Sequence, residues 1–388
     1  MDIKMKFVAF GFIVFSLGMF LISCGEDSVM TPVVEMPEVP EEMEVEPIVD
    51  MQNNIEGSIR DISSMDLVAE MGVGWNLGNS FDVRSKNKTA WGNPLSTSSH
   101  IRDVKAMGFK TLRIPVTWNY DQLEKSPYTI EQPYLARIQL IVNEALNNDM
   151  HVIINTHHDD WIIPTNSDAQ EVKNRLSSLW TQVANYFKTY GDRLIFEVMN
   201  EPRLLDSPEE WSGGTQEGRD VINEFHKVAV DAIRGTGGNN SKRHLMIPTY
   251  AASTTPNAMR DLVVPNDDPN IIISVHSYFP WSFAGLESGT NSWGSDQEKM
   301  ALDNEMVRIR DRWIMEENRP VIMGEWGTTD KNNLTARTEY ATYYTKAATS
   351  LGMLPIIWDD GGNFGLYDRH AMNWKYPEIA EAVIAAAE

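Results

Sequence analysis

The stretch RLIFEVMNEPR, residues 193–203, is an apolar run that ends in Asn200, Glu201 and Pro202. A charged side chain directly after a buried strand needs a partner or a use, because burying it unpaired is costly. Seven further apolar runs occur along the chain: GVGWNLGN (72–79), FKTLRIPV (109–116), HVIINTHH (151–158), RHLMIPTY (243–250), IIISVHSY (271–278), VIMGEWG (321–327) and MLPIIWDD (353–360). They are continuous rather than alternating, which is typical of parallel strands buried on both faces.

Longer stretches with helical spacing separate these runs, for example 133–148, 221–234 and 336–351, and a last one near 377–387. Eight strands, each followed by a helix, predict an α/β fold: a single (β/α)8 TIM barrel over residues 60–388. The alternative is a doubly wound sheet, which needs a glycine-rich phosphate turn after the first strand. The segment GWNLGN is not such a turn.

Composition restricts the partners. The chain has 388 residues, 42% of them hydrophobic and 10% aromatic, and its formal net charge is −22. Nucleic acid and anionic membrane surfaces attract Lys- and Arg-rich proteins, so the charge argues against both as direct partners. We expect a globular monomer that binds neutral or cationic molecules and no nucleic acid.

The N-terminal segment has the pattern of an export signal. Lys4 and Lys6 precede an apolar run over 7–22, and the run ends in Leu-Ile-Ser-Cys, with Cys24 as the only cysteine. This tetrad resembles a bacterial lipobox, which predicts a signal peptide over 1–23 and a lipid anchor at Cys24. A short transmembrane anchor is the alternative, although about 20 apolar residues are needed to span a bilayer. Gly25 after the cysteine favours the outer membrane or cell surface of a Gram-negative bacterium.

Residues 24–59 form a predicted tether between the lipidated cysteine and the barrel. The tether is rich in Pro and Glu, and no Lys or Arg occurs between Lys6 and Arg60. Proline stiffens a chain and like charges repel each other, so we expect this segment to be extended and unfolded.

Polar and aromatic side chains follow six of the eight predicted strands. The carboxyl ends of the strands carry the active site in a TIM barrel, so these groups are expected at one rim. They are Arg113, His157, His158, Asn200, Glu201, His276, Tyr278, Glu325, Trp326 and Trp358.

Two of these residues form a candidate catalytic pair. Glu201 follows the fourth strand and Glu325 lies in the seventh, so their carboxylates can face each other across the barrel. Glycosidic bond hydrolysis needs two opposed carboxylates, about 5 to 5.5 Å apart when the anomeric configuration is retained. The alternative, that each glutamate pairs with a surface cation, explains less well why both share a rim with Arg113, His276 and Tyr278.

Seven segments in their order and spacing resemble glycoside hydrolase family 5, and within it the subfamily 4 endoglucanases and xyloglucanases. They are GWNLGNSFD, LRIPVTW, NTHHDD, FEVMNEP, VHSYFPWSF, MGEWG and IIWDDGG. The resemblance implies that Glu201 is the general acid/base and Glu325 the nucleophile. An acid needs an apolar or negative setting to keep its proton, whereas a nucleophile needs cationic and hydrogen-bonding neighbours.

The resemblance also implies supporting and substrate-binding residues. Arg113 and Tyr278 are expected beside the nucleophile, His276 beside the acid/base, and Asn200 at the sugar 2-hydroxyl. His157 is expected to bind the sugar next to the cleaved bond. Further predicted sugar contacts are Asn79, His158, Trp118, Trp281 and Trp358. Local packing is an equal alternative to a cleft wall for each of the four loop tryptophans, Trp118, Trp161, Trp281 and Trp293. Asp360 stands where subfamily members often have Asn, which adds an acceptor near the sugar-binding rim.

No metal or cofactor is expected. The HHDD segment from His157 to Asp160 resembles a metal cluster, but adjacent side chains on an extended segment point in opposite directions. Metal-dependent barrel hydrolases also need a His-x-His on the first strand, and GWNLGN has none.

The sequence therefore predicts a retaining endo-β-1,4-glucanase that acts on cellulose, mixed-linkage glucan or xyloglucan. A xylanase or mannanase on the same barrel is one alternative. A surface lipoprotein that binds glycans without cleaving them is another, but such a protein has no need for both Glu201 and Glu325.

Overall fold

The computed structural model describes residues 55–121 and 125–388. The predicted signal peptide, the lipidation site Cys24 and nearly all of the predicted tether lie outside the described residues. Within the described part of the chain, no helix is long and apolar enough to cross a bilayer.

Eight parallel strands form a closed barrel in which each strand pairs with the next along the chain. They are β1 Gly74–Asn76, β2 Thr111–Ile114, β3 His151–Asn155, β4 Leu194–Glu197, β5 Leu245–Pro248, β6 Ile271–His276, β7 Val321–Trp326 and β8 Leu354–Ile357. The pairing of Gly74 in β1 with Ile356 in β8 closes the barrel. Each apolar run of the sequence contains one strand, so the predicted TIM barrel is confirmed and the open doubly wound sheet is excluded.

Helices separate the strands and cover the outside of the barrel. They are α1 Ser64–Met71, α2 Ser98–Met107, α3 Gln132–Asn147, α4 Ala169–Tyr186, α5 Gln216–Gly235, α6 Pro256–Asp261, α7 Trp281–Ala284, α8 Asp296–Arg310, α9 Leu334–Ser350 and α10 Pro377–Ala386. The described residues also form a short hairpin of β9 Tyr367–Asp368 and β10 Asn373–Trp374 after β8.

Helix α5 shows how local signals set the ends of these helices. The Thr215 side chain accepts a hydrogen bond from the Gly218 N–H and so caps the first turn. The buried apolar face begins only at Val221 and recurs at helical spacing to Ile233. The predicted start at residue 221 was therefore five residues late, because the apolar period does not extend to the capped polar turn.

The lower half of the barrel interior is apolar. Helix α1 closes this end, since its Leu67, Val68 and Met71 pack against inward-facing strand residues. Those residues are Ile153, Ile195, Met246, Ile272, Ile322, Leu354 and Ile356. A close-packed floor of this kind holds the strands in fixed register and so fixes the side chains above it.

Candidate active site

A layer of buried polar side chains lies above the apolar floor, and Arg113 on β2 is at its centre. Arg113 is fully buried, and its Nε donates to Glu197 Oε2 at 2.8 Å. Its Nη1 donates to Asn76 Oδ1 at 2.9 Å and to Glu325 Oε1 at 2.8 Å. Its Nη2 donates to Asn200 Oδ1 at 2.6 Å. Burial lowers the pKa of Arg113, but Glu197 and Glu325 raise it by more, so the guanidinium is a permanent positive charge.

Glu197, at the end of β4, is a buried carboxylate that the sequence interpretation missed. Besides Arg113 it accepts from Asn155 Nδ2 at 3.0 Å and from Ser274 Oγ at 2.7 Å, and its side chain is fully buried. We call Asn76, Arg113, Asn155, Glu197 and Ser274 the polar layer. A charged residue inside the apolar run LIFEVM was the available signal, because such a residue has to meet an opposite charge in the interior.

Glu325 lies directly above the polar layer. Its Oε1 accepts from Arg113, and its Oε2 accepts from the Tyr278 hydroxyl at 3.0 Å. Burial, together with the nearby Glu325 and Glu201, raises the pKa of Tyr278 well above its usual range, so its hydroxyl keeps the proton that it donates. Both neighbours expected for a nucleophilic carboxylate are therefore present.

The pairing of β6 with β7 is irregular, and this irregularity places His276 next to Glu325. The β6–β7 register shifts between Val275 and His276, which places His276 opposite Glu325. Gly324 lies beneath the imidazole, and a Cβ added there would be 2.9 Å from His276 Nε2. Such irregularities are frequent next to active sites, where they redirect a side chain.

Glu201 follows β4 and faces Glu325 across the cleft. Glu201 Oε1 lies 2.8 Å from His276 Nδ1, and Glu325 Oε2 lies 3.7 Å from the same nitrogen. One carboxylate oxygen of Glu201 and one of Glu325 lie within 4.8 Å of each other. This approach is closer to the separation of about 5 to 5.5 Å in retaining enzymes than to the roughly 6.5 to 9.5 Å that lets an inverting enzyme place a water against the sugar, so it fits hydrolysis with retention.

The electrostatics of the pair differ from the sequence expectation. Burial and the charge of Glu201 together raise the pKa of Glu325 by more than His276 and Arg113 lower it. Burial also raises the pKa of Glu201, but the hydrogen bond to His276 and the charges of His276 and Arg203 outweigh it, so that pKa is lowered. The reason is the position of His276, whose ring lies closer to Glu201 and whose pKa is raised by both carboxylates against burial. Before substrate binds, the proton of the Glu201–His276 pair is therefore favoured on the imidazole.

Glu201 and Glu325 both line a cleft of about 820 Å³. Aromatic side chains line it around Glu201 and Glu325, and we call these the aromatic rim: Trp211, Phe279, Trp281, Trp358 and Phe364. Flat apolar rings suit the C–H faces of sugars, so the rim can hold a polysaccharide chain across the pair.

Several predicted sugar-binding residues reach the cleft. His157, His158, Trp281 and Trp358 all line it. The His157 ring stacks parallel to Trp358, with centroids 5.7 Å apart. Burial lowers the pKa of His157 well below its usual range, and burial lowers that of His158 to about 3, so both imidazoles are neutral.

Other predicted contacts do not reach the cleft. The prediction that Trp118 contacts sugar is wrong, because its side chain is fully buried and its indole N–H donates to Asn155 O at 2.9 Å. Trp161 and Trp293 are 9% and 6% exposed, so both serve local packing. Asn79 is not among the cleft-lining residues; its backbone N–H donates to Asp82 and its C=O accepts from the Asn93 side chain.

Trp211 and Phe364 were not predicted from the sequence. Trp211 is 59% exposed in the loop after β4, and Phe364 packs edge-on against Tyr278 with centroids 5.5 Å apart. Asp360 is not among the residues that line the cleft. Its Oδ1 accepts from the N–H groups of Gly362 at 2.7 Å and Phe364 at 3.0 Å. Asp360 therefore shapes the loop that carries Phe364.

Two groups of side chains in the described residues have the spacing of metal ligands. One is Glu201, His276 and Glu325, and the other is Asp82, His157 and His158. The rings of His157 and His158 are in edge contact, with centroids 4.4 Å apart, so the prediction that these adjacent side chains point in opposite directions is wrong. Asp82 already accepts the N–H groups of Asn79 and Ser80, and burial raises its pKa to about 6.

Comparison with known proteins gives consistent matches. The model of the family described as cellulase, glycosyl hydrolase family 5, matches residues 76–363. Endoglucanase B of Clostridium cellulovorans is 45% identical over 340 residues, which cover 85% of this chain and 77% of the relative. Cellulase/esterase CelE of Acetivibrio thermocellus is 45% identical over 337 residues, and the chain spans 41% of that protein's length. The structure of ZgEngAGH5_4 in complex with a cellotriose has 52% identity and a TM-score of 0.83, and the match covers 84% of this chain and 100% of that one.

Proposed function

The chain belongs to glycosyl hydrolase family 5, and from that premise we propose that it is an endo-β-glucanase that cleaves internal β-1,4 linkages with retention of anomeric configuration. The observation that carries this proposal is the approach of Glu201 and Glu325 to within 4.8 Å at the centre of an open, aromatic-lined cleft. An open cleft admits the middle of a polymer chain, and the carboxylate spacing fits a covalent intermediate.

In the first step Glu325 attacks the anomeric carbon while Glu201 protonates the departing glycosidic oxygen. The 2.8 Å contact with His276 supplies a short route by which the proton reaches Glu201. Arg113 and Tyr278 hold Glu325 by one oxygen each and leave its remaining lone pairs for the sugar. Asn200 uses its side-chain carbonyl on Arg113, and its amide nitrogen lies 3.5 Å from His157 Nε2, which leaves one amide N–H for the sugar 2-hydroxyl.

In the second step Glu201 is a carboxylate and removes a proton from the water that attacks the glycosyl–Glu325 ester. Esterification removes the charge of Glu325, and with it one source of repulsion that opposes ionisation of Glu201. The same residue therefore serves first as acid and then as base.

The substrates proposed are β-1,4-linked glucans, including cellulose, mixed-linkage glucan and xyloglucan. Cellotriose is bound by the related ZgEngAGH5_4, which supports a cello-oligosaccharide backbone. The test is incubation of the purified protein with carboxymethylcellulose, barley β-glucan, tamarind xyloglucan, xylan and glucomannan, following reducing ends and viscosity. A rapid viscosity drop on a glucan is expected; cleavage of xylan or glucomannan alone would move the substrate class, and no cleavage of any polymer would reject hydrolysis.

Variants test the two roles. Glu201→Gln and Glu325→Gln are each expected to lower the rate of polymer hydrolysis on the order of 10⁴-fold, because each removes a group that acts on the reacting atoms. Azide should rescue Glu325→Ala with an α-glycosyl azide product and Glu201→Ala with a β-glycosyl azide from an activated aryl cellobioside. The reverse pattern of products would exchange the two assignments.

We also propose that the protein is an exported monomer attached by lipid on Cys24 to the outer membrane or cell surface. The support is the Leu-Ile-Ser-Cys sequence after a charged and then apolar N-terminal segment. Cys24→Ala is expected to move the activity from the membrane fraction to the soluble fraction, and an unchanged distribution would reject the anchor.

A further inference from the structure

Arg203, two residues after Glu201, contacts the candidate acid/base directly. Its Nη1 donates to the Glu201 backbone O at 2.9 Å and to Glu201 Oε2 at 3.3 Å. The oxygen that faces His276 is Oε1, so Arg203 and His276 hold opposite oxygens of one carboxylate. The Arg203 and Glu201 side chains are each 16% exposed, so this ion pair is partly shielded from water, unlike an ion pair on the open surface.

A second acid shares the guanidinium. Arg203 Nε donates to Glu210 Oε1 at 2.9 Å, and Glu210 Oε2 accepts the Asp206 N–H at 3.0 Å. The loop after β4 therefore folds back so that Glu210 competes with Glu201 for a single positive charge.

Trp211 covers this charge on the cleft side. The Arg203 guanidinium lies 4.2 Å from the centroid of the Trp211 ring, in a cation–π contact. The ring shields Arg203 from water and at the same time forms part of the aromatic rim beside Glu201. Trp211 therefore limits the access of water to the arginine of the Arg203–Glu201 ion pair.

Other charged or titratable groups also face Glu201. His276 approaches from β6 and Glu325 from β7, while His158 lies after β3. Glu305 of α8 also lines the cleft, and Arg84 and Asp160 form an ion pair in a neighbouring pocket that Glu201 and Arg203 also line. Arg203 is distinguished from these by its direct hydrogen bond to Glu201 Oε2.

We propose that Arg203 is a positioning residue for the acid/base: it orients the Glu201 carboxyl group and stabilises its ionised form, while Glu210 limits that stabilisation. This inference rests on the acid/base role proposed for Glu201. The charge of Arg203 lowers the pKa of Glu201. It therefore helps the second step, where Glu201 must be a base, and opposes the first, where Glu201 must carry a proton.

Two variants should shift the pH profile in opposite directions. Arg203→Met removes the positive charge, so the basic limb of kcat/KM on barley β-glucan should move up by roughly half to one pH unit. Glu210→Gln removes the competing negative charge, so the same limb should move down by a smaller amount. A purely structural loop contact would give both variants the same kind of defect, with no opposite shifts.

The leaving group separates orientation from folding. Arg203→Met is expected to lose about tenfold in kcat/KM on β-glucan, because a misplaced acid gives up part of its contribution. On an aryl β-cellotrioside with an activated nitrophenol leaving group, whose departure needs no proton, the loss should be below about threefold. Arg203→Lys keeps the positive charge but loses the planar set of guanidinium N–H donors. It should therefore retain the basic limb of the wild type but have lower activity on β-glucan.

The control is Arg260→Met, which removes the arginine of an exposed ion pair with Asp261 and should leave both profiles unchanged. Unmoved basic limbs, or shifts in the same direction for Arg203→Met and Glu210→Gln, would overturn the inference. If Arg203→Met fails to fold, Glu210→Gln decides alone by its downward shift. An inactive wild type, or an active Glu201→Gln, would instead reject the proposed function.

Discussion

The polar layer and the aromatic rim lie next to each other in the barrel but are built in different ways. In the polar layer every charged group is buried and paired, and its residues lie on the strands β1, β2, β3, β4 and β6. In the rim, Trp211 and Trp281 are 59% and 58% exposed and lie beyond the ends of the strands. Through Arg113 the layer holds the Glu325 carboxylate in a fixed position, whereas the rim offers flat apolar rings at the surface of the cleft.

Glu197 and Glu201 show the same contrast within one segment. Glu197 is the last residue of β4, and Glu201 follows it by four residues. Glu197 has three donors and no exposure, so it holds Arg113 in place. Glu201 keeps 16% of its side chain exposed in the cleft, where it is available for chemistry.

The first way to test this contrast is to remove Glu197. Glu197→Ala leaves the buried Arg113 with one fewer counter-charge, so the free energy of unfolding is expected to fall by about 3–5 kcal/mol. Activity should fall as well, since Arg113 also holds Glu325. Denaturant unfolding followed by tryptophan fluorescence measures the loss.

Glu70→Ala is the matched control, because Glu70 forms an exposed ion pair with Arg60. Its unfolding midpoint is expected to equal that of the wild type. Equal stability of Glu197→Ala and the wild type would mean that the polar layer does not depend on its central ion pair.

His226 on α5 is a buried polar group outside both regions, and among the residues that the structure describes neither of its ring nitrogens has a hydrogen-bond partner. Burial lowers its pKa from 6.5 to about 3. Between these two pKa values His226 binds a proton in the unfolded chain but not in the folded chain. His226 therefore does not lower the free energy of unfolding above pH 6.5, but it lowers it progressively as the pH drops from 6.5 towards 3. At pH 5 the loss from this residue is about 2 kcal/mol.

His226→Leu should remove that part of the pH dependence, measured as the difference in unfolding free energy between pH 7.5 and pH 5. His370→Gln, at an exposed position, serves as the control. If His226→Leu loses as much unfolding free energy between pH 7.5 and pH 5 as the wild type does, other buried histidines cause the loss.

The smallest effect is expected in the rim. Trp281→Ala removes an exposed ring that lines the cleft, so KM for β-glucan should rise about fivefold, roughly 1 kcal/mol, with little change in stability. Trp118→Ala should do the opposite, lowering stability through a cavity in the core. A rise in KM for Trp118→Ala at unchanged stability would contradict the burial of Trp118.

The fold and the approach of Glu201 to Glu325 were predictable from the sequence because both depend on local patterns. Eight apolar runs marked eight strands, and the barrel rule then placed every strand end at one rim. The tryptophans were less predictable, since Trp118 and Trp281 both follow strands and differ only in what packs over them. His157 and His158 were placed apart by the alternation of an extended chain, but the chain turns after β3 and brings their rings together.

The sequence by itself determined the order of strands and helices and the residue types at the end of each strand, because hydrophobic period and chain polarity are properties of neighbouring residues. Only the tertiary structure decided which partners those residues meet. Arg113 contacts Glu325 across 212 positions of the chain, and Glu201 meets His276 across 75. Hydrogen bonding and burial depend on distance in space, so the pairing of Glu197, the burial of Trp118 and the proton preference of His276 follow from the closed barrel.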